Sequence, residues 1–127
     1  MKRLALIGFG VAIALLSIKV SAQDYSQKII GSWYAEELDQ STIEVTRLTD
    51  GSFQGTIKAS STPTYIGHKV IYNFRYHEEE RSYKGTISSA ARNMELEGVI
   101  TVEKDGRLKL IGKKLFMTKT FYWVRKR

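Results

Sequence analysis

The chain has 127 residues, with 20 lysines and arginines against 13 aspartates and glutamates, and a formal net charge of +7. This length is that of one domain, and the sequence contains no cysteine, which excludes disulfides, thiolate metal sites and thiol nucleophiles. A basic total suggests nucleic-acid binding, so this interpretation has to be tested against the positions of the lysines and arginines.

The first 22 residues are typical of a secretory signal peptide. Lys2 and Arg3 precede an apolar run from Leu4 to Ile18, and Val20-Ser21-Ala22 is a small-residue cleavage site. The run is 15 residues long, shorter than the roughly 18 residues that favour a membrane-spanning helix, although an uncleaved anchor stays an alternative. We expect a mature domain over residues 23–127, without a membrane span and in a periplasmic or secreted location.

The mature part alternates apolar and polar side chains with a period of two, and turn signals interrupt it about every dozen residues. One helical turn is predicted over Asp24–Ile30. The predicted strands are, in chain order, Ser32–Leu38, Thr42–Leu48, Phe53–Ala59, Val70–Tyr76, Arg81–Ser88, Met94–Val102, a strand that starts with Arg107–Leu110, and a last strand with Phe121, Trp123 and Arg125. Because closure of such a meander removes its edges, the sequence predicts an all-β fold, a small up-and-down antiparallel barrel of about eight strands.

A glycine recurs in the middle of four predicted strands, on the face that carries the large apolar side chains. Glycine weakens a flat strand, so its repetition favours a kink or a close approach. The structural interpretation is a strongly coiled barrel, and the functional one is an internal pocket left by the missing side chains. The two are compatible. The glycines are Gly55, Gly85, Gly98 and Gly112.

Two short motifs resemble known families. Gly31-Ser32-Trp33 near the start of the first strand, with Arg125 two residues after a tryptophan, resembles the lipocalin and calycin pattern. The resemblance implies that Trp33 packs beneath Arg125 at the closed end of the barrel. Four segments carry a second resemblance: Gly31-Ser32-Trp33, Gly55-Thr56-Ile57, Leu108-Lys109-Leu110-Ile111-Gly112 and Lys119-Thr120-Phe121-Tyr122-Trp123-Val124-Arg125. With them the chain resembles a family of exported bacterial proteins known as domain of unknown function 2147, which has no established activity.

The sequence favours a binding protein over an enzyme. It contains no phosphate loop, nucleophile elbow or zinc-binding pair, so no cofactor and no metal site are expected. His77-Glu78-Glu79-Glu80 is a cluster of metal-capable side chains, but four consecutive residues in a turn cannot all face one ion, and a solvated turn is predicted there. His68 is predicted to lie in an exposed loop.

The charges are unevenly distributed. Residues 23–106 contain nine bases and 13 acids, whereas residues 107–127 contain eight bases and no acid. Lys109 is predicted to project from the outer face of the sheet, and Lys113, Lys114 and Lys119 continue this basic patch. The patch either docks onto lipid head groups or another anionic envelope polymer, or balances acidic strands beside it. Nucleic acid is not expected, because the protein is predicted to be exported and its basic strands lack interleaved exposed aromatic residues.

The fourth predicted strand is the most aromatic, and its alternate residues from Val70 to Tyr76 are predicted to share one face. Core filling is one interpretation of these side chains. The other is a pocket in which tyrosine hydroxyls orient a small lipid or apolar ligand, with the Ser60–Gly67 loop as its lid. The candidate ligand-binding residues are Tyr72, Phe74, Tyr76, Tyr83, Phe53 and Tyr65.

Two functions are therefore predicted. The leading one is a non-enzymatic exported barrel that binds a small hydrophobic or amphipathic ligand. The alternative is an envelope interaction module that has a solid core and no ligand, and that uses the basic hairpin near the C-terminus.

Overall fold

The structure is a computed structural model that describes residues 26–127. The predicted signal peptide and the first residues of the predicted helical turn lie outside this range. Residues 26–29 form a turn in which the Ile30 N–H donates to the Gln27 carbonyl oxygen at 3.2 Å. Within the described range, no helix has the length and apolar character needed to cross a bilayer.

Eight antiparallel strands form a closed barrel in which each strand pairs with its neighbours in sequence and the last pairs with the first. The predicted fold class is therefore confirmed. The strands are β1 (Gly31–Ala35), β2 (Ser41–Arg47), β3 (Phe53–Ala59), β4 (Lys69–His77), β5 (Ser82–Ser89), β6 (Met94–Val102), β7 (Leu108–Lys114) and β8 (Met117–Arg125). A short 3₁₀ helix, Pro63–Tyr65, lies between β3 and β4.

The seam between β1 and β8 contains only two residue pairs, Trp33 with Arg125 and Tyr34 with Val124. β1 ends at Ala35, earlier than predicted, and the chain turns away from β8. The Glu37 carboxylate then accepts a hydrogen bond from the Tyr122 N–H at 2.9 Å. Because an unpaired strand N–H is unfavourable, this side chain replaces a backbone acceptor and helps to keep the ring of strands closed.

β4 departs from a regular alternation of inward and outward residues. Its register shifts twice against β3 and once against β5, and Asn73 has a φ of 57°. Each bulge adds a residue and reverses the face of the residues that follow. Ile71, fully buried, pairs with Ile87 on the inner face, so the next residue, Tyr72, faces outward. The prediction that Tyr72 shares one face with Val70, Phe74 and Tyr76 is therefore wrong.

The spaces beside the inward glycines are occupied by side chains from elsewhere in the barrel. A Cβ atom at Gly85 would lie 2.6 Å from Phe74 Cδ2 and 2.7 Å from Phe74 Cα, and one at Gly98 would lie 2.6 Å from Ile87 Cγ1 and 2.7 Å from Phe74 Cζ. Such distances are far below van der Waals contact. The Phe74 ring thus lies over the glycines of the two strands that follow β4.

The other two inward glycines are covered in the same way. A Cβ atom at Gly55 would lie 2.8 Å from Ile71 Cγ1, and one at Gly112 would lie 2.8 Å from Leu96 Cδ1. The missing side chains therefore leave no pocket at these four positions. They allow the barrel to close around a filled middle.

We expect Gly85→Ala to lower the free energy of unfolding by about 1–3 kcal/mol, because the added methyl group overlaps the backbone of Phe74 and overpacks the core. Gly112→Ala is the matched control. Its methyl group meets the mobile end of Leu96, so a smaller loss is expected. Urea denaturation of both variants measures the difference, and a Gly85→Ala variant as stable as the wild type would contradict this packing.

Candidate functional site at the open end of the barrel

Trp33 and Arg125 lie in contact at one end of the barrel. The guanidinium carbon of Arg125 is 4.0 Å from the centroid of the Trp33 ring, a cation–π distance. Its Nη1 and Nη2 atoms donate to the carbonyl oxygens of Ile30 and Lys28, both at 2.9 Å. Trp33 Nε1 donates to the Ile29 carbonyl oxygen at 2.9 Å. Ring, guanidinium and N-terminal turn therefore close this end, which we call the closed end.

Gly31 makes this closure possible. Its φ of 131° is one that residues with a Cβ atom rarely adopt, and an added Cβ would lie 2.5 Å from Arg125 Nη1. The glycine of the Gly31-Ser32-Trp33 motif thus leaves the space through which the arginine reaches the turn. The motif thus contacts Arg125, although the two lie near opposite ends of the domain sequence.

Several aromatic candidates fill the half of the barrel next to the closed end. Phe53, Phe74 and Tyr83 are at most 3% exposed. The rings of Phe53 and Tyr83 meet edge to face at 5.5 Å between centroids, and those of Tyr76 and Tyr83 lie 5.0 Å apart. These separations are typical of packed aromatic pairs. The four residues are brought together as core.

The other two aromatic candidates are placed differently. Tyr72 lies on the outer surface beside His68, in a shallow depression. Tyr65, half-buried, packs against the core from the β3–β4 connection. Hydrogen bonds tie that connection to Asp39: Ser61 N–H donates to the Asp39 carbonyl oxygen at 3.0 Å, and Thr62 Oγ1 donates to Asp39 Oδ2 at 2.7 Å. The predicted lid is therefore pinned to the β1–β2 connection.

The opposite end of the barrel, which we call the open end, contains a cavity of about 190 Å³. Its floor consists of buried apolar side chains, each at most 5% exposed: Ile87, Leu96, Leu110 and Trp123. The walls are largely apolar as well. Leu38, Val70, Met94 and Phe121 form them.

The rim of this cavity is polar and carries more positive than negative charge. Arg92 comes from the β5–β6 turn, Lys119 from β8, and Glu37 from the β1–β2 connection. Glu37 already accepts the Tyr122 N–H through one oxygen. An anionic group at the rim therefore meets two cationic side chains and one carboxylate that is partly occupied.

The predicted basic patch is divided between two surfaces. Lys109 and Lys113 alternate with inward Leu108, Leu110 and Gly112, so they face outward as predicted. Lys119 pairs with inward Gly112 and lines the cavity, which corrects its predicted place on the outer face. Lys114 is the last residue of β7 and stands next to the hairpin tip. The patch is therefore not one continuous face.

The outer face of the basic strands also carries an exposed aromatic ring. Tyr122 is 38% exposed and lies beneath the Arg107 guanidinium, whose carbon is 4.5 Å from the ring centroid. The expectation that these strands lack exposed aromatic residues is therefore wrong at this position.

The two histidine-containing segments are placed outside the cavity. His77 and Glu78–Glu80 are exposed at the β4–β5 turn, as predicted, and Lys84 Nζ pairs with Glu80 at 2.7 Å. His68 is half-buried, with Nε2 at 3.2 Å from the Ser88 carbonyl oxygen, so it is less exposed than predicted. Among residues 26–127, no three His, Asp or Glu side chains converge in a way that would hold a metal ion.

Shifted pKa values occur outside the cavity. Hydrogen bonds from the Ser52 hydroxyl and backbone N–H lower the pKa of Asp50. A hydrogen bond from the Arg107 backbone, and a further one from its side chain, lower the pKa of Asp105. Both carboxylates belong to closed-end turns, where they accept hydrogen bonds that stabilise the turn. These shifts have a local structural cause.

Sequence reasoning identified one of the cavity-lining residues as a functional candidate, Lys119. The predicted strands contain Leu96, Phe121 and Trp123, but the sequence did not indicate that these residues line a cavity. Arg92 and Glu37 carry no local signal, because each lies in a polar turn of ordinary composition. Comparison of the chain with protein families, curated proteins and solved structures found no significant match.

We expect Arg125→Lys to lower the free energy of unfolding by about 1–2 kcal/mol. Lysine keeps the charge but loses the planar stacking on Trp33 and one of the two carbonyl hydrogen bonds. Arg127→Lys is the control, with a change expected to stay within about 0.5 kcal/mol. Equal unfolding midpoints for the two variants in urea would show that the closed end does not depend on the guanidinium.

Proposed function

We propose that the protein binds a small amphipathic molecule in the open-end cavity, with its apolar part on the floor and an anionic head group beside Arg92 and Lys119. The observation that carries this proposal is the combination of an apolar floor with two cationic side chains at the rim. Small-molecule sites are typically lined by apolar side chains with a few polar groups that fix the orientation of the ligand.

The volume of the cavity limits the size of the ligand. A dry apolar cavity of about 150 Å³ accommodates benzene, whereas sites for drug-sized molecules start at roughly 300 Å³. A cavity of about 190 Å³ therefore suits a single ring or a short acyl chain. A longer ligand would leave its head, or part of its chain, outside the mouth.

The charge of the rim favours an anion over a cation. Arg92 and Lys119 both line the cavity, and the one carboxylate beside them, Glu37, spends part of its hydrogen-bonding capacity on the β8 backbone. Charge-assisted hydrogen bonds are stronger than neutral ones. The preferred ligand class is thus a short-chain carboxylate or a related amphipathic anion.

Binding without catalysis and a location outside the cytoplasm belong to the same proposal. They are supported by the signal-like residues 1–22 and by the absence of a recognisable catalytic motif in the sequence. The lipocalin resemblance agrees with a barrel that is closed at one end by Trp33 and Arg125 and that has a cavity at the other.

Octanoate and octanol, which share a chain length, test the head-group preference by calorimetric titration. We expect Lys119→Gln and Arg92→Gln each to weaken octanoate binding by about tenfold, because each removes a charged hydrogen-bond donor. Octanol binding should change by less than about twofold, because the floor is intact. Lys109→Gln, on the outer face of β7, is the matched charge control and should leave both affinities unchanged.

Ala91→Trp tests the location of the site. Ala91 lines the cavity and is exposed, so a large side chain there should block both ligands without disturbing the core. Ala59→Trp is the control, because Ala59 is the exposed last residue of β3, at the open end of the barrel, and does not line the cavity. Binding of octanoate to the Ala91→Trp variant with wild-type affinity, or no binding by the wild type, would refute the proposed site.

A further inference from the structure

The hairpin between β7 and β8 presents two large apolar side chains to water. Lys114 pairs with Met117, so Leu115 and Phe116 are the two residues of the turn. The Leu115 side chain is 93% exposed, and the Phe116 side chain is fully exposed. Neither side chain contributes to the core, and no other loop of the described barrel covers them.

The backbone of this turn is unusual as well. Leu115 has a φ of 54°, and a bulky residue in the left-handed region is an outlier. Two-residue hairpin turns with positive φ at the first residue favour glycine there, and the closed-end turns of this protein have glycines, Gly51 and Gly106, at their positive-φ positions. Leu115 and Phe116 are therefore unfavourable in this turn for two reasons: they are not residues that such turns prefer, and their apolar side chains are exposed to water. An outlier of this kind points to a function for the residues that adopt it.

Two exposed lysines that form no ion pair within the described barrel precede the tip. They are Lys113 and Lys114. Glu97 lies opposite Lys113 in the β6–β7 register, yet in the described part of the chain neither lysine forms an ion pair. The sequence from 107 to 127 contains no acid at all. The lysines are therefore available to an external anion.

We propose that this tip docks on an anionic lipid bilayer, with Leu115 and Phe116 inserted among the lipids and Lys113 and Lys114 on the head groups. Large apolar residues flanked by lysines are the composition with which peripheral segments enter the head-group region, and each lysine near an anionic surface adds to the attraction. A bilayer also provides what the turn lacks in water, an apolar environment for Leu115 and Phe116. This docking does not depend on the ligand proposed for the cavity.

The cavity mouth lies at the same end of the barrel as the tip. Lys119 and Phe121 line the cavity and belong to β8, the strand that the tip begins. Docking through the tip therefore brings the mouth close to the bilayer surface. The two sites remain separable, since neither Leu115 nor Phe116 lines the cavity.

The lack of cysteine allows the tip to be labelled specifically. The full chain is produced with Phe116→Cys, purified in the form in which the cell leaves it, and labelled with a polarity-sensitive fluorophore. Vesicles of phosphatidylcholine and phosphatidylglycerol at 3:1 should shift the emission to the blue, and vesicles of phosphatidylcholine alone should not. Lys104→Cys at the closed-end β6–β7 turn carries the control label and should show no shift with either vesicle. This readout separates insertion of the tip from any binding through the apolar residues 4–18.

The double substitution Leu115→Gly and Phe116→Asn separates membrane docking from folding. Glycine is favoured at the first position of a two-residue turn where that residue has positive φ, so the unfolding midpoint in urea should stay equal or rise. Binding of the variant to the anionic vesicles should weaken at least tenfold, because the inserted apolar surface is lost. Lys113→Gln with Lys114→Gln should weaken binding by roughly 25-fold, about fivefold for each lysine.

Three results would overturn the proposal. The first is an unchanged emission spectrum of the label at position 116 with anionic vesicles, whether or not the protein sediments with them. The second is an equal shift with phosphatidylcholine alone, which would remove the part assigned to the lysines. The third is wild-type vesicle binding by the Leu115→Gly, Phe116→Asn variant, which would leave the exposed tip to a protein partner.

Discussion

The structure depends on the position of the Phe74 ring, which lies against the inner wall of the barrel over Gly85 and Gly98. An eight-stranded barrel has an interior just wide enough for packed side chains or one small ligand, and a Cβ atom at either glycine would overlap this ring. Phe74 fills the middle of the barrel, and Ile87 and Leu96 fill the space beside Gly98 and Gly112. Ile87 and Leu96 are also the floor of the cavity. The packing that closes the barrel therefore sets the depth of the cavity and keeps it small.

Much of the fold is predictable from local pattern, and β4 shows the limit of such prediction. Period-two alternation and the Asp-Gly turns place the strands and predict their closure. They cannot show that β4 contains bulges, because a bulge is a mismatch in length between neighbouring strands and leaves the composition unchanged. Asn73, a residue that tolerates positive φ, is its one local trace. As a result the sequence places Tyr72 inside, where the structure places Ile71.

The candidate functional residues are harder to predict than the fold, because they too depend on the register between strands. The four glycines allow either a pocket or a filled core, and the side chains that decide between them come from other strands. Lys119 lies inside the mouth because it pairs with inward Gly112, a fact of register. Leu115 and Phe116 are not typical turn residues, so the sequence does not indicate where the last hairpin turns. In each case the missing information is which residue lies opposite which.

The side chains at the two ends of the barrel have different roles: those at the closed end stabilise the fold, and those at the open end form the two proposed sites. At the closed end, side chains are used for structure: Arg125 binds backbone carbonyls and covers Trp33, and Asp50 and Asp105 accept hydrogen bonds within their own turns. At the open end, Arg92 and the hairpin tip project side chains that the core does not need. Substitutions there affect few buried contacts, so they can change affinity without a large loss of stability. A barrel filled from one end can in this way carry the groups of both proposed sites, for the ligand and for the bilayer, together at the other end.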